Sequence, residues 1–335
     1  MLNQKNLIGA RCSNVKSYEV KPCARIYRHR ARELRKMKKP STISNIREVY
    51  HRGENVLEFL KNNREGWNDW ESIMISYDFQ AGTYTRQAAE NSEHIERFTD
   101  ALVDVWADLG HWQSAIEVGV GEATLQLPLM AKLDPEGTRD VLGFDVSWSR
   151  SRYARNNAEK SQQRVRIFVA NLFEIPLPDN SVDIVYTSHS LEPNGGREAE
   201  ALTELCRVAR RFVVLLEPDY GAASDEGKAR MERHGYVRDL GQHARDLGHE
   251  VIEERPFGVS INPLNPTGLT IIRKPYSTFV PPEFVCPVTK TQLLRRDEIF
   301  FGPESGLLYP IIDGLPCLLE SSATLGLHFE TFNRS

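Results

Sequence analysis

Fourteen residues, Ser114 to Leu127, constrain this chain more than any other stretch. Apolar Ala115, Ile116 and Val118 read as a short strand ending in Glu117-Val118-Gly119-Val120-Gly121, and a helix-like pattern follows at once. Glycines at such a bend let the backbone approach a ligand where a side chain would collide with it. The expected helix, over 122–133, would turn free N–H groups and its positive end toward whatever is bound. A second apolar strand, Val141-Leu142-Gly143-Phe144, runs into Asp145. An acid about 20 or more positions beyond a glycine turn, at the tip of the next strand, is placed to take both hydroxyls of a ribose.

Two nucleotide-type ligands compete for that geometry. A dinucleotide asks for G-x-G-x-x-G, with backbone amides aimed at a pyrophosphate; here the position three after Gly121 is Thr124. Glu117 stands just before the first glycine instead. A carboxylate there repels phosphate and suits a ligand that carries an ammonium and a sulfonium. S-adenosylmethionine is therefore favoured over a dinucleotide, and a plain strand-to-helix turn is the alternative without a ligand.

The length of 335 residues allows about two domains of ~150 residues each and a sizeable core. With 40% hydrophobic and 26% charged residues the composition is that of a soluble globular protein. No apolar run approaches ~18 residues, and the N-terminus lacks the apolar region of a secretory signal, so a cytoplasmic protein is expected. Cys12, Cys23, Cys206, Cys286 and Cys317 are odd in number, scattered, and form no C-x-x-C, which argues against a disulfide framework and a four-cysteine zinc site. The net charge of −4 conceals an asymmetry: residues 1–39 hold twelve Lys/Arg against Glu19 and Glu33, leaving the remainder at −14. The block from Arg25 to Lys39 could hold phosphates, but it lacks regularly interleaved aromatics, so a solvated basic arm is favoured over nucleic-acid binding.

In chain order, residues 1–75 read as a basic, mainly helical extension, with helical spacing from Ser41 to Asn63 and again from Trp70. Tyr77 to Tyr84, aromatic and polar with Gly82 inside, can close over a pocket as a lid, bringing Tyr77, Gln80 and Tyr84 to a substrate. Ala89 to Leu109 reads as one helix ending near Gly110. From Ser114 the pattern alternates, predicting strands at 114–119, 139–145, 164–169, 181–187, 211–217, 249–255 and 268–274, and helices at 122–133, 147–160, 196–208 and 225–247. The implied architecture is α/β, a Rossmann-like doubly wound sheet spanning 76–276. Its ligand should lie beyond the carboxyl ends of the strands, where Glu117, Asp145, Asn171, Ser188, His189 and Glu217 all fall. A proline-rich linker follows, then a compact β-rich unit over 283–320 and a tail over 321–335.

Taken as an ordered set over about 114–274, these motifs resemble the class I S-adenosylmethionine-dependent methyltransferases. Glu117-x-Gly119-x-Gly121 is similar to their first motif and Asp145 to their ribose-binding acid. Asn171-Leu172 followed by Ile175 to Asp183 is similar to their third motif and the entry to strand 4. The resemblance implies a seven-stranded sheet with its last strand antiparallel, S-adenosylmethionine as cofactor, and S-adenosylhomocysteine as product. Val146 beside Asp145, Leu172 beside Asn171, and Ser188 complete the implied cofactor contacts, with Asn171 at the adenine. The 283–320 unit resembles a small zinc-ribbon-like methyltransferase activator. Only Cys286-Pro287 of its cysteine motifs survives, Thr289 replaces the second cysteine, and the second pair is missing around Gly302 to Gly306, so the fold is expected without a metal. Ser190 to Gly196 also looks like a subgroup from bacterial surface-polysaccharide gene clusters.

The implied reaction is an in-line displacement, in which the protein positions the partners and supplies a base if the acceptor is a hydroxyl. His189, with an ordinary pKa near 6.5, suits that base; Glu192 and Glu217 are further candidates for the catalytic group. Asn194 on the same loop could bind polyol hydroxyls, and Arg230, Arg233 and His234 could hold an anionic acceptor. Ser188-His189-Ser190-Leu191 lacks the Asn/Asp-Pro-Pro-aromatic pattern of nucleobase amino-methylation. The resulting expectation is O-methylation of a small hydroxylated or acidic metabolite, such as a sugar or sugar nucleotide. An RNA methyltransferase using the basic arm and a non-catalytic cofactor-binding scaffold are the alternatives, and a homodimer is left open.

Overall fold

The computed structural model describes residues 40–63, 70–260, 262–275 and 277–332. The basic block at Arg25 to Lys39 and two of the cysteines, Cys12 and Cys23, lie outside these residues. The chain divides after Ile43, and the second unit, from Ser44 onward, holds both sheets.

Seven strands form one sheet: β1 (Ser114–Val118), β2 (Asp140–Asp145), β3 (Arg166–Val169), β4 (Val182–Ser188), β5 (Ala209–Pro218), β6 (Glu250–Pro256) and β7 (Thr267–Arg273). Their order is β3-β2-β1-β4-β5-β7-β6. β1 to β5 run parallel, whereas β7 lies antiparallel to both β5 and β6. The protein therefore has a Rossmann-like α/β fold with its last strand antiparallel. β1 sits where the order reverses, between β2 and β4, so the ends of these strands open a crevice between them.

The strands are apolar because the sheet is covered on both faces. On one face Val185 and Val213 meet Leu202 and Leu205 of the helix Glu198–Val208. On the other, Tyr186 and Val214 meet Phe98, Leu102 and Trp106 of the helix Ser92–Leu109. Trp106 stands edge-on to the Tyr186 ring, with centroids 5.1 Å apart. Alternate residues of each strand thus serve opposite layers, as the period of two requires.

Several expected helices are shorter than their periodicity suggests. The helix predicted over 122–133 begins only at Gln126. Gly119, Gly121 and Ala123 all have positive φ, so right-handed helical backbone cannot start among them. The helix over 225–247 is two, Asp225–His234 and Leu240–Asp246, parted at Gly235 with φ +64°. Gly53 likewise separates Pro40–His51 from Val56–Asn63, and Asn91 separates Thr83–Glu90 from Ser92–Leu109.

The C-terminal strands β8 (Leu294–Arg296), β9 (Ile299–Phe301), β10 (Leu307–Ile312), β11 (Leu315–Pro316) and β12 (Thr324–Leu325) pair antiparallel. β12 falls in the stretch expected to be tail, where Thr324 and Leu325 pair with Leu308 and Leu307. Cys286, Phe300 and Tyr309 share the apolar cluster of the large sheet. Leu318 N donates to Val169 O at 2.8 Å, and Val169 bridges Cys317, so this unit covers the open edge at β3. Among the described residues, no helix is long and apolar enough to cross a membrane.

Candidate active site

Beyond the carboxyl ends of β1, β2 and β4 lies a cavity of about 370 Å³, within the range of roughly 300–1,000 Å³ usual for small-ligand sites. Glu117, Gly119, Gly121, Asp145, Val146, Asn171, Leu172 and Ser188, the expected cofactor residues, all line it. Gly119 has φ +72°, and a Cβ there would lie 2.3 Å from the Ser190 Cβ, so only glycine fits. Glu117 is 3% exposed, and its Oε2 accepts from the Tyr186 hydroxyl at 3.0 Å. Burial pushes its carboxyl up to about 8, with the tyrosine bond opposing only in part. Asp145 accepts from Gly121 N at 3.0 Å and Ser147 N at 2.9 Å, which locks the two strand tips together. Asn171 Oδ1 accepts from Phe173 N at 3.1 Å.

The segment from Tyr77 to Thr85 closes one side of this cavity, and two carboxylates fasten it. Glu122, 1% exposed, accepts from Gly82 N and Thr85 N at 2.8 Å each, and also from the Thr85 hydroxyl. Asp78 accepts from Ser147 Oγ at 2.6 Å and Ser149 N at 3.1 Å. Tyr77 and Tyr84 line the cavity as expected, whereas Gln80 does not; its Nε2 turns to Ser76 Oγ at 3.3 Å. Between the rings sits Arg150, with Cζ 4.2 Å from the Tyr84 centroid and 5.0 Å from that of Tyr77. Its Nη2 lies 2.7 Å from where a Gly121 Cβ would be. Arg150 and Glu122 were not singled out in the sequence: an arginine early in a polar helix and a glutamate after a glycine turn both read as solvated.

The loop after β4 carries the candidate base. His189 adopts φ +51°, and both its ring nitrogens are engaged, Nδ1 with Glu192 Oε2 at 3.1 Å and Nε2 with Thr267 Oγ1 at 2.8 Å. Burial lowers the imidazole pKa, but the hydrogen bond and charge of Glu192, with Glu217 behind them, outweigh it, and the net shift is upward. Glu192, Asn194 and Arg230 line the cavity with His189. Tyr236 adjoins them, its phenol pushed up to about 12 by burial and then Glu192, against the pull of Arg230.

Besides Gln80, three expected site residues lie elsewhere. Glu217, a candidate catalytic group, is 2% exposed and does not line the cavity. Its carboxylate accepts from the backbone N–H of Ser190, Leu191 and Glu192, each at 3.1 Å, so it holds the loop rather than a substrate. Burial pushes it up to about 7, with His189 and the loop amides acting against that. Arg233 points to solvent, and His234 stacks on Tyr236 with centroids 5.6 Å apart, because the cavity faces only the Arg230 side of their helix.

The donor set of the C-terminal unit does not suit zinc. Cys286 is fully buried, with Sγ 3.2 Å from Tyr309 Oη. Burial raises the thiol pKa, yet donors at Thr289, Tyr309 and Ser305 outweigh it and lower it overall. One thiol among hydroxyls is a hydrogen-bonded knot, not a tetrahedral metal set. Among the described residues, no three His, Cys, Asp or Glu side chains come together as metal ligands.

No curated protein matches the chain. Among solved structures, a SAM-dependent methyltransferase from Aquifex aeolicus shares 22% identity over 50% of this chain and 87% of its own, with a TM-score of 0.41. Magnesium protoporphyrin IX methyltransferase (ChlM) from Synechocystis PCC 6803, with bound SAH, shares 14% over 69% and 99%, at 0.43. A chain of the complex between the Haloferax volcanii Trm112 methyltransferase activator and a methyltransferase shares 15% over 59% and 98%, at 0.43. Residues 115–211, which run from β1 and its glycine turn through Asp145 and His189 into β5, match the family described as a methyltransferase domain.

Proposed function

We propose that this protein is an S-adenosylmethionine-dependent methyltransferase that methylates a hydroxyl of a small hydroxylated or acidic metabolite, such as a sugar of surface-polysaccharide synthesis. The observation that supports it is one cavity lined by Glu117 and Asp145 at neighbouring strand tips and by the His189–Glu192 pair. Glu117 would take the ammonium of the cofactor, Asp145 the ribose hydroxyls and Asn171 the adenine amine. When bound, the cofactor supplies an electrophilic methyl next to a cationic sulfur. His189 Nε2, which faces Thr267 Oγ1 at 2.8 Å, would take the proton of the acceptor hydroxyl as that oxygen is methylated, while Nδ1–H stays on Glu192. Glu192 steadies the imidazolium that results, and Glu217 fixes the loop that presents both.

Calorimetry with S-adenosylhomocysteine tests the cofactor half, with binding expected and NADH giving no heat. Turnover of labelled S-adenosylmethionine, abolished by Asp145→Ala, tests the transfer half. Label found in RNA would replace the metabolite as acceptor, and binding without any transfer would leave a scaffold.

A further inference from the structure

One part of the cavity wall holds an arginine without a salt-bridge partner among the described residues. The helix Asp225–His234 places Arg230 in the wall, together with Asn262 and Asn265 from the loop before β7. Arg230 Nη1 is buried without a hydrogen-bond partner, and among the described residues no carboxylate lies within 4.0 Å of its guanidinium. Its neighbour is Tyr236, whose ring centroid lies 5.4 Å from Cζ and whose phenol the guanidinium polarises. Glu192, the acid in the same wall, is engaged elsewhere: its Oε2 receives Asn265 Nδ2 at 3.0 Å as well as His189.

That second bond fixes Asn265. A carboxylate only accepts, so the amide must turn its NH₂ to Glu192 and its oxygen away. Asn265 Oδ1 is then a buried acceptor with no donor. The same wall therefore carries a cationic N–H lacking an acceptor and a neutral acceptor lacking a donor. Buried polar groups are almost always satisfied, and those that are not mark a missing partner.

Resting on the methyltransferase reading, we infer that this part of the wall binds the anionic group of the acceptor. The acceptor is a small hydroxylated acid whose carboxylate or phosphate meets Arg230, with one hydroxyl at Asn265 and the reacting hydroxyl at His189. A neutral polyol leaves the guanidinium unpaired and is discriminated against by about 10- to 100-fold, the usual worth of a charged hydrogen bond.

The test gives the full-length protein labelled S-adenosylmethionine and the small-molecule fraction of a cell extract, then separates products by anion exchange. Label should be retained on the resin and elute with salt; phosphatase treatment releases it if the anion is a phosphate monoester and leaves it bound if a carboxylate. Arg230→Gln should raise KM for that product's acceptor by about 10- to 100-fold with homocysteine-product affinity unchanged, while Arg233→Gln on the outer face changes neither. Label only in the unretained fraction, or an Arg230→Gln enzyme with unaltered KM, overturns the assignment. So does the absence of labelled product from a protein that still binds S-adenosylhomocysteine. Failure of the wild type to bind that product at all instead removes the methyltransferase reading beneath it.

Discussion

At the scale of single residues, the site is governed by carboxylates that burial makes reluctant to ionise. Glu117, near 8, is protonated in the empty protein at pH 7. An ammonium beside it favours the charged form, so binding of the cofactor or its product should release close to one proton at pH 7 and tighten as pH rises toward 8. Calorimetry in buffers of different ionisation enthalpy reads this directly; the same heat in every buffer contradicts it. The sign for stability is the reverse. A carboxyl whose folded pKa lies above its unfolded value loses its contribution as pH rises through about 8, so Glu117→Gln should raise Tm at pH 9 while weakening binding by about tenfold or more. His189 answers to Glu192 in the same way. With its pKa raised, a base at this position deprotonates only above the usual value near 6.5, so kcat/KM should climb on a limb above that pH. Glu192→Gln removes the larger of the two charges that oppose burial and leaves only Glu217 against it, so the limb should move down in pH. A limb that stays put would show that His189 is not the titrating group.

At the scale of elements, the strand ends were legible because chemistry there sits on top of a strong apolar pattern. Asp145 and Ser188 each close a buried strand and Glu117 stands one residue before the end of another, and position along the sheet follows from that alone. Two things were not legible. Helix starts depend on backbone φ, and nothing in Gly121-Glu122-Ala123 announces that Ala123 takes φ +57° and delays the helix to Gln126. Long-range fastenings were also hidden: Glu122 reaches back about 40 positions to Gly82 and Thr85, and that separation leaves no periodic trace. The fastening has a consequence for the lid. Glu122→Ala strips an acceptor from two backbone amides, a loss of about 1–3 kcal/mol confined to residues 77–90. Hydrogen exchange should quicken in that segment with the sheet unaffected, and cofactor-product affinity should fall. Exchange unchanged at Gly82 and Thr85 would mean the segment is held by other contacts.

At the scale of the whole unit, the small C-terminal sheet and the large one are joined through a charge cluster as well as an apolar seam. Glu204, on the helix Glu198–Val208, accepts from Ile175 N at 2.7 Å, from Lys290 Nζ at 2.9 Å and from Arg207 Nε at 2.7 Å. Arg207 in turn donates to the carbonyls of Ile175 and Leu177, and Lys290 to that of Ile175. The turn before β4 is thus gripped by a helix covering the large sheet and by the loop leading into the small one. Burial alone raises the Glu204 pKa, but Arg207 and Lys290 outweigh it and bring it below the ordinary carboxyl value. A carboxylate depressed in this way contributes stability that is full above its unfolded pKa near 4.3 and is lost as pH falls through its lower, folded value. Glu204→Gln should therefore lower stability by about 2–4 kcal/mol at pH 7, because two cations and a backbone N–H lose a charged acceptor in a mostly buried setting. Below the folded pKa the native glutamate is itself neutral, so the difference between the two proteins should shrink as acid is added. Lys290→Met removes one partner and leaves Arg207 to neutralise the acid, so its cost should be the smaller of the two. Urea melts of the three proteins at pH 7 and pH 3.5 decide the matter: a Glu204→Gln penalty that is equal at both would place the effect in packing rather than in charge.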